Sequence, residues 1–201
     1  MTSRDAILTS LRRSRLPDPG LPALDGPWLQ VDDLGEAFGA ALEAAGGRVQ
    51  SVAGGSDALD AALRALPGLA DARRVVSAID VLPSRNSGPS PRVPADLATV
   101  EWAVLPGRIG VAESGAVWIE PSDAFERAAG FLAPRVALVL ARDALVPHLH
   151  DAYARIDLGA RSFGCFVSGP SKTADIEQAL VIGAHGPRAL DVLLVGDDGH
   201  A

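Results

Sequence analysis

The stretch from residue 48 to residue 79 constrains the fold more than any other. "RVQSVA" reads as a strand, a helix capped by Ser56 follows with Leu59, Ala62, Leu63 and Leu66 on one face, and "RRVVSAI" reads as the next strand. Strand, helix and strand at this spacing predict a βαβ crossover, because parallel neighbours need a long connection over the sheet. "PRVALVLA" adds a strand whose continuous apolar run suits burial on both faces. "ATVEWAVLPGRIGVAESGAVWIEP" reads as two or three further strands broken at Gly107 and at the "ESG" turn. The last predicted unit is a strand over 163–168, a helix over 173–183 and a strand over 190–195. The predicted fold class is α/β, three-layered, with a largely parallel sheet.

Flanking segments complete the organisation. Residues 3–14 predict a short helix with Ile7, Leu8 and Leu11 on one face, followed by a proline-rich arm, so residues 1–30 form an appendage and 31–201 the α/β domain. Asp33 and Glu36 have capping-box spacing ahead of a helix that stops at Gly46–Gly47. Residues 80–97 carry four prolines and no apolar period, which predicts a long loop. Pro147 suits the first turn of a helix with Leu149, Ala152, Tyr153 and Ile156 on one face.

Charge and cysteine content narrow the function classes. A net charge of −7 argues against a nucleic-acid partner, since phosphate binding needs a basic face. The N-terminus lacks an apolar signal core and no run reaches the length of a membrane span, so a soluble, cytoplasmic chain is expected. The one cysteine, Cys165, forms no disulfide framework within the chain and reads as a small apolar filler on a buried strand.

"FVSGPSKTADIEQALVIGAHGP" concentrates the polar chemistry. If 173–183 is a helix with its face at Ile176, Ala179, Leu180 and Gly183, its start offers free N–H groups and the positive end of its dipole. Gly169, Ser171, Lys172 and Thr173 would then surround a site for a phosphate or carboxylate. Equally, Ser171 or Thr173 merely caps the helix while Asp175 complements the dipole. His185, in "GAHGP", reads either as an acid/base or anion contact or as a C-capping histidine. Glu113, in "AESGAVW", is a candidate nucleophile or base, or a solvated turn residue. "VAGGSDAL" lacks the full glycine fingerprint of a phosphate cradle. His148 and His150, two apart on a predicted helix, are expected on different faces, which excludes a shared metal; His148 reads as a satisfied core-edge residue. No metal site is expected.

Taken together, "VSGPSKTADIEQALVIGAHGP" followed by "LDVLLV", "GVAESGAVWIEPS" and "FLAPRVALVLARDALVPHLHDAY" resemble the lactate utilization protein C family, built on the LUD domain. The resemblance is strongest from Arg108 to Val195. It departs from the family pattern in "ATVEWAVLPGRIG", which lacks a small Thr-containing turn. The resemblance implies a fold similar to the sugar-phosphate isomerase and CoA-transferase superfamily and a role in oxidising L-lactate to pyruvate. It carries Glu113, Ser114, Gly115, Gly169, Pro170, Ser171, Thr173, Asp175 and His185 over as motif positions. It also implies partner subunits bearing iron–sulfur clusters. One cysteine cannot supply the four thiolates of a typical cluster, so this chain is expected to be the cluster-free member, with no cofactor of its own. The alternative expectation is a free-standing enzyme on a phosphorylated or CoA-linked metabolite that uses Glu113.

Overall fold

The computed structural model describes residues 2–16, 20, 30–86, 94–157, 159, 163–176 and 178–196. The chain divides into two units, Met1–Gln30 and Val31–Ala201. The first contains helix α1 (Ser3–Arg13), whose start is closed by a reciprocal pair between Thr2 and Asp5. None of its residues is buried, and Ile7 and Leu11 are exposed.

The second unit opens with α2 (Leu34–Ala44), capped by Asp33, whose Oδ1 accepts from the N–H groups of Gly35 and Glu36. It stops where Gly46 turns to φ +83°. Then follow β1 (Arg48–Val52), α3 (Ser56–Ala65), β2 (Arg74–Ser77), the two-residue β3 (Arg85–Asn86) and β4 (Trp102–Pro106). Ser56 is the first helical residue of α3 rather than its cap, the cap position being Gly55, which carries no side chain to bond. Part of the expected loop over 80–97 lies outside the described residues, and its end, Pro94–Thr99, is a 3₁₀ turn. The chain continues with β5 (Ile109–Val111), β6 (Ala116–Ile119), α4 (Ala124–Leu132), β7 (Arg135–Ala141), β8 (Leu145–Val146), α5 (Leu149–Arg155), β9 (Cys165–Val167), β10 (Lys172–Ile176), β11 (Ala179–Ile182) and β12 (Ala189–Val195). Helix α4, not anticipated from the sequence, is closed at its start by Asp123 Oδ1, which accepts from Phe125 and Glu126, and by Glu126 folding back on Ser122.

The central sheet has the order β1-β12-β7-β4-β2-β3, with all pairings parallel except the short edge pair β2–β3. The expected α/β class with a largely parallel sheet is therefore what the chain forms. Alternation along the central strands splits the core. Ala103, Leu105, Val136, Leu138, Leu140, Val192 and Leu194 face one side with Phe38 and Leu42 of α2. Trp102, Val104, Ala137 and Leu193 face the other, against Leu59 and Leu63 of α3. On the α2 side lies a second, four-stranded sheet, β8-β5-β6-β9, whose far face packs Val111, Trp118 and Val146 against Ala152 of α5. No helix among the described residues is long and apolar enough to cross a membrane.

The last predicted unit is where sequence and structure differ. Its first strand, β9, pairs with β6 in the second sheet and not in the central one. The predicted helix 173–183 is a hairpin, β10 against β11, with Lys172 opposite Ile182 and Thr173 opposite Val181. Thr173, Ile176, Val181 and Ile182 are β-branched, a composition that favours strands, and Gln178 supplies the turn at φ +59°.

Candidate functional site

Glu113 sits at the turn from β5 to β6. Ala112 and Glu113 continue the pairing beside β8, donating to the carbonyls of Val146 and Pro147 at 2.9 and 3.1 Å. That register brings the Glu113 carboxylate to the start of α5. Its Oε1 accepts from the Leu149 N–H at 2.7 Å, and its Oε2 lies 3.0 Å from Nδ1 of His148. His148 is 8% exposed, whereas the Glu113 side chain remains 41% exposed. Burial works against ionisation of Glu113. The Leu149 and His148 hydrogen bonds, with the charge of His148 and His150, outweigh it and hold the carboxyl below its ordinary range. Glu113 is thus a carboxylate at neutral pH. In that state Oε2 is an acceptor only, so the contact with His148 is made by an Nδ1–H that donates to it.

His150 follows closely. Its ring stacks on that of His148, with centroids 5.3 Å apart and planes at 16°, and its Nε2 is 3.5 Å from Asp151. The expectation that the two histidines occupy different faces does not hold, because His148 is the residue before α5 with extended backbone and its ring can fold over the first turn. The expectation that His148 is a satisfied core-edge residue does hold. What the sequence reading missed is its partner: Glu113 pairs with His148 and makes no bond with His185 or Lys172.

The two motif loops do meet. Ser168 Oγ donates to the carbonyl of Ser114 at 2.9 Å. Both loops lean on the end of α2 through glycines in the left-handed region. A Cβ on Gly115 (φ +61°) would overlap the backbone of Leu42, and one on Gly169 (φ +69°) would overlap the carbonyl of Ala45. Lys172 reaches the same helix end, its Nζ 3.6 Å from where a Cβ on Gly46 would stand, a favourable place for a cation.

Ser171 anchors the hairpin base, donating its N–H to the Pro187 carbonyl and accepting from the Gly183 N–H, both at 2.8 Å. Thr173 lies one step along β10. His185 is exposed in the turn between β11 and β12. The anion site expected at a helix start over Ser171–Thr173 loses its electrostatic basis, since no helix begins there; His185 likewise caps no helix. The loops also lie at the opposite sheet edge from the usual ligand crevice. Pro187 and Arg188 precede β12, Gly46 precedes β1, and Arg188 donates to Pro134 just before β7, so all belong to the amino ends of the parallel strands. Cys165, half-buried opposite Ile119 of β6, has its thiol pushed up by desolvation.

Comparison with known proteins follows this geometry. The LUD domain model matches residues 95–195, just over half of the chain and the stretch that builds both motif loops. Proteins named Lactate utilization protein C from Geobacillus sp. (strain WCH70) and Bacillus subtilis (strain 168) are 35% and 33% identical over 95 residues each. These alignments cover 44% of this chain and 39% and 40% of the two relatives, so the match spans about two fifths of their length. The crystal structure of a DUF162 family protein from Deinococcus radiodurans shares the fold at a TM-score of 0.57 and 19% identity, covering 81% of this chain and 96% of that one. A parallel sheet with a second sheet folded over α2, an "ESG" turn and a "SGPSK" turn joined by Ser168 and Ser114, and a family model spanning both turns lead to one assignment: the chain belongs to the LUD domain family.

Proposed function

We propose that this chain takes part in L-lactate utilisation, as a cluster-free component that works with iron–sulfur partner subunits in oxidising L-lactate to pyruvate. The observation that carries the reading is the family match over residues 95–195, with curated relatives that bear the name Lactate utilization protein C. Cysteine content supports the division of labour: one half-buried thiol, raised above its ordinary range, is a poor start for a four-thiolate cluster. In this reading Glu113 orients His148 and the pair handles protons. Gly169, Ser171, Lys172, Thr173 and His185 form the polar base of the hairpin, open to a ligand or a companion subunit.

The test is genetic and biochemical. A strain lacking the chain should not grow on L-lactate as sole carbon source but should grow on pyruvate, and the intact gene should restore growth. The tagged chain should bring down iron–sulfur proteins from lactate-grown cells. Normal growth of the deletion strain on L-lactate overturns the role. Turnover of a phosphorylated or CoA-linked metabolite by the purified chain alone would replace it with the free-standing enzyme.

A further inference from the structure

At the amino edge of the sheet, on the face away from the motif hairpin's partner helix α2, the end of α3 stands off the first two strands. It leaves a cleft of about 230 Å³. Arg48, Val49 and Gln50 of β1 line it, with Ala65, Leu66 and Pro67 after α3 and Asp191 to Leu193 of β12. Arg48 and Asp191 are register partners in neighbouring parallel strands, so both side chains project to the same face. Asp191, only 4% exposed, takes the guanidinium on one edge: Nε to Oδ1 at 2.7 Å and Nη2 to Oδ2 at 3.0 Å. The side chain of Arg48 is 56% exposed.

This arrangement fixes a cation without using it up. Both carboxylate oxygens are spent on the Nε–Nη2 edge, so Asp191 orients the fork and its charge turns inward. Nη1 makes no hydrogen bond among the described residues, and Arg48 is one of the residues that line the cleft. The negative end of α3 is answered elsewhere. The Leu66 carbonyl accepts from Leu69 at 3.0 Å, and the Pro67 carbonyl accepts from Nη1 of Arg135 at 3.0 Å, which sets a second guanidinium beside the cleft. Two guanidinium groups thus stand near one buried carboxylate, Arg48 on it and Arg135 on the Pro67 carbonyl. The remaining walls, Ala65, Leu66, Pro67 and Leu193, are apolar, and Gln50 adds one amide. At ~30 Å³ per water the space holds about seven waters, or one organic acid of about six to eight heavy atoms.

We propose that this cleft is a binding site for a short aliphatic monocarboxylate, whose carboxylate meets the Nη1 side of Arg48 and whose carbon chain lies on Leu66, Pro67 and Leu193. The site is separate from the Glu113–His148 pair and does not depend on the role proposed above. Arg48 is here a binding residue, and Asp191 is the residue that positions it.

The test is a titration of the isotope-labelled full chain by amide NMR with acetate, propionate, L-lactate and pyruvate, and with propionamide as the uncharged control. At least one acid should bind with Kd on the order of 1 mM, moving the amides of Arg48, Gln50, Leu66 and Leu193, while propionamide moves none of them. Arg48→Lys keeps the charge but loses the fork, and should weaken binding at least tenfold. Gln50→Trp fills the cleft from an exposed position, leaves the ion pair intact, and should abolish binding in a protein that melts like the parent. Absence of any shift in these amides up to about 20 mM acid overturns the site. Binding that survives both substitutions overturns it as well. Loss of growth on L-lactate with binding intact would concern the cellular role alone, so the two readings fail separately.

Discussion

Gly169 turns left-handed against the carbonyl of Ala45, with the Ala45 carbonyl carbon 2.9 Å from where a Cβ would stand and its oxygen closer still. The most characteristic motif of the chain therefore begins as a packing device, letting the "SGPSK" turn lie flat on the end of α2. Gly115 does the same for the "ESG" turn one helical turn earlier, at Leu42.

Gly169→Ala should cost more than a positive φ alone. Gly68, at φ +81° with open space around it, gives the comparison. Gly68→Ala is expected to cost about 1 kcal/mol of stability, and Gly169→Ala about 2–4 kcal/mol, since steric overlap with backbone adds to the strain. Urea denaturation of both variants checks this; equal costs would mean that α2 yields freely.

Glu113 links stability to acid. Its folded pKa lies below its ordinary value, so the stability it contributes is present above the ordinary carboxylate range and is lost as pH falls through the folded pKa. The side chain is more than a third exposed, so solvent screening limits the contribution to below about 1 kcal/mol. Glu113→Gln should destabilise the protein slightly at neutral pH, and the gap from the parent should close as pH falls below the ordinary carboxylate range. A gap that widens toward acid would show that the carboxyl is not held ionised by Leu149 and His148.

The Arg48–Asp191 pair should be costly to break from one side. Arg48→Ala strands a carboxylate that is 4% exposed, and is expected to cost about 2–3 kcal/mol. Replacing both, Arg48→Leu with Asp191→Leu, should recover most of that loss, because no buried charge is then left. A double-mutant cycle by chemical denaturation measures the coupling.

Gln178 occupies the left-handed region without being glycine. Gln178→Gly should relieve about 1 kcal/mol of local strain and slow amide exchange across β10 and β11. Faster exchange in the variant would mean that chain entropy outweighs strain at this turn.

Local pattern alone carried a large part of the fold. The succession β1, α3, β2, the buried strand β7 and the strands on either side of the "ESG" turn all follow from apolar runs and punctuation in the sequence, but β1 and β2 are not neighbours, since β12, β7 and β4 lie between them. Burial on both faces of a parallel sheet demands such runs. The stretch 173–183 was not decidable that way. Ile176, Ala179, Leu180 and Gly183 satisfy a helical spacing, while the β-branched Thr173, Ile176, Val181 and Ile182 suit a hairpin, in which Thr173 stands opposite Val181. In a segment this short neither period outvotes the other, and the anchoring of Ser171 between Pro187 and Gly183 decides for the hairpin.

The candidate residues divide along the same line. Glu113, Ser114, Gly115 and the "SGPSK" turn stood out in the sequence because turns need glycine and polar residues at fixed places. Their partners did not. Pairing Glu113 with His148 depends on β5 lying beside β8 in one register, and the Arg48–Asp191 pair joins residues 143 positions apart through β1 and β12. The sequence by itself determined most strands of the central sheet, the turns and the motif glycines, since these depend on backbone conformation and local burial, but not the hairpin of β10 and β11. Only the tertiary structure decided which charges meet and at which edge of the sheet, because long-range strand register, not neighbouring residues, sets those distances.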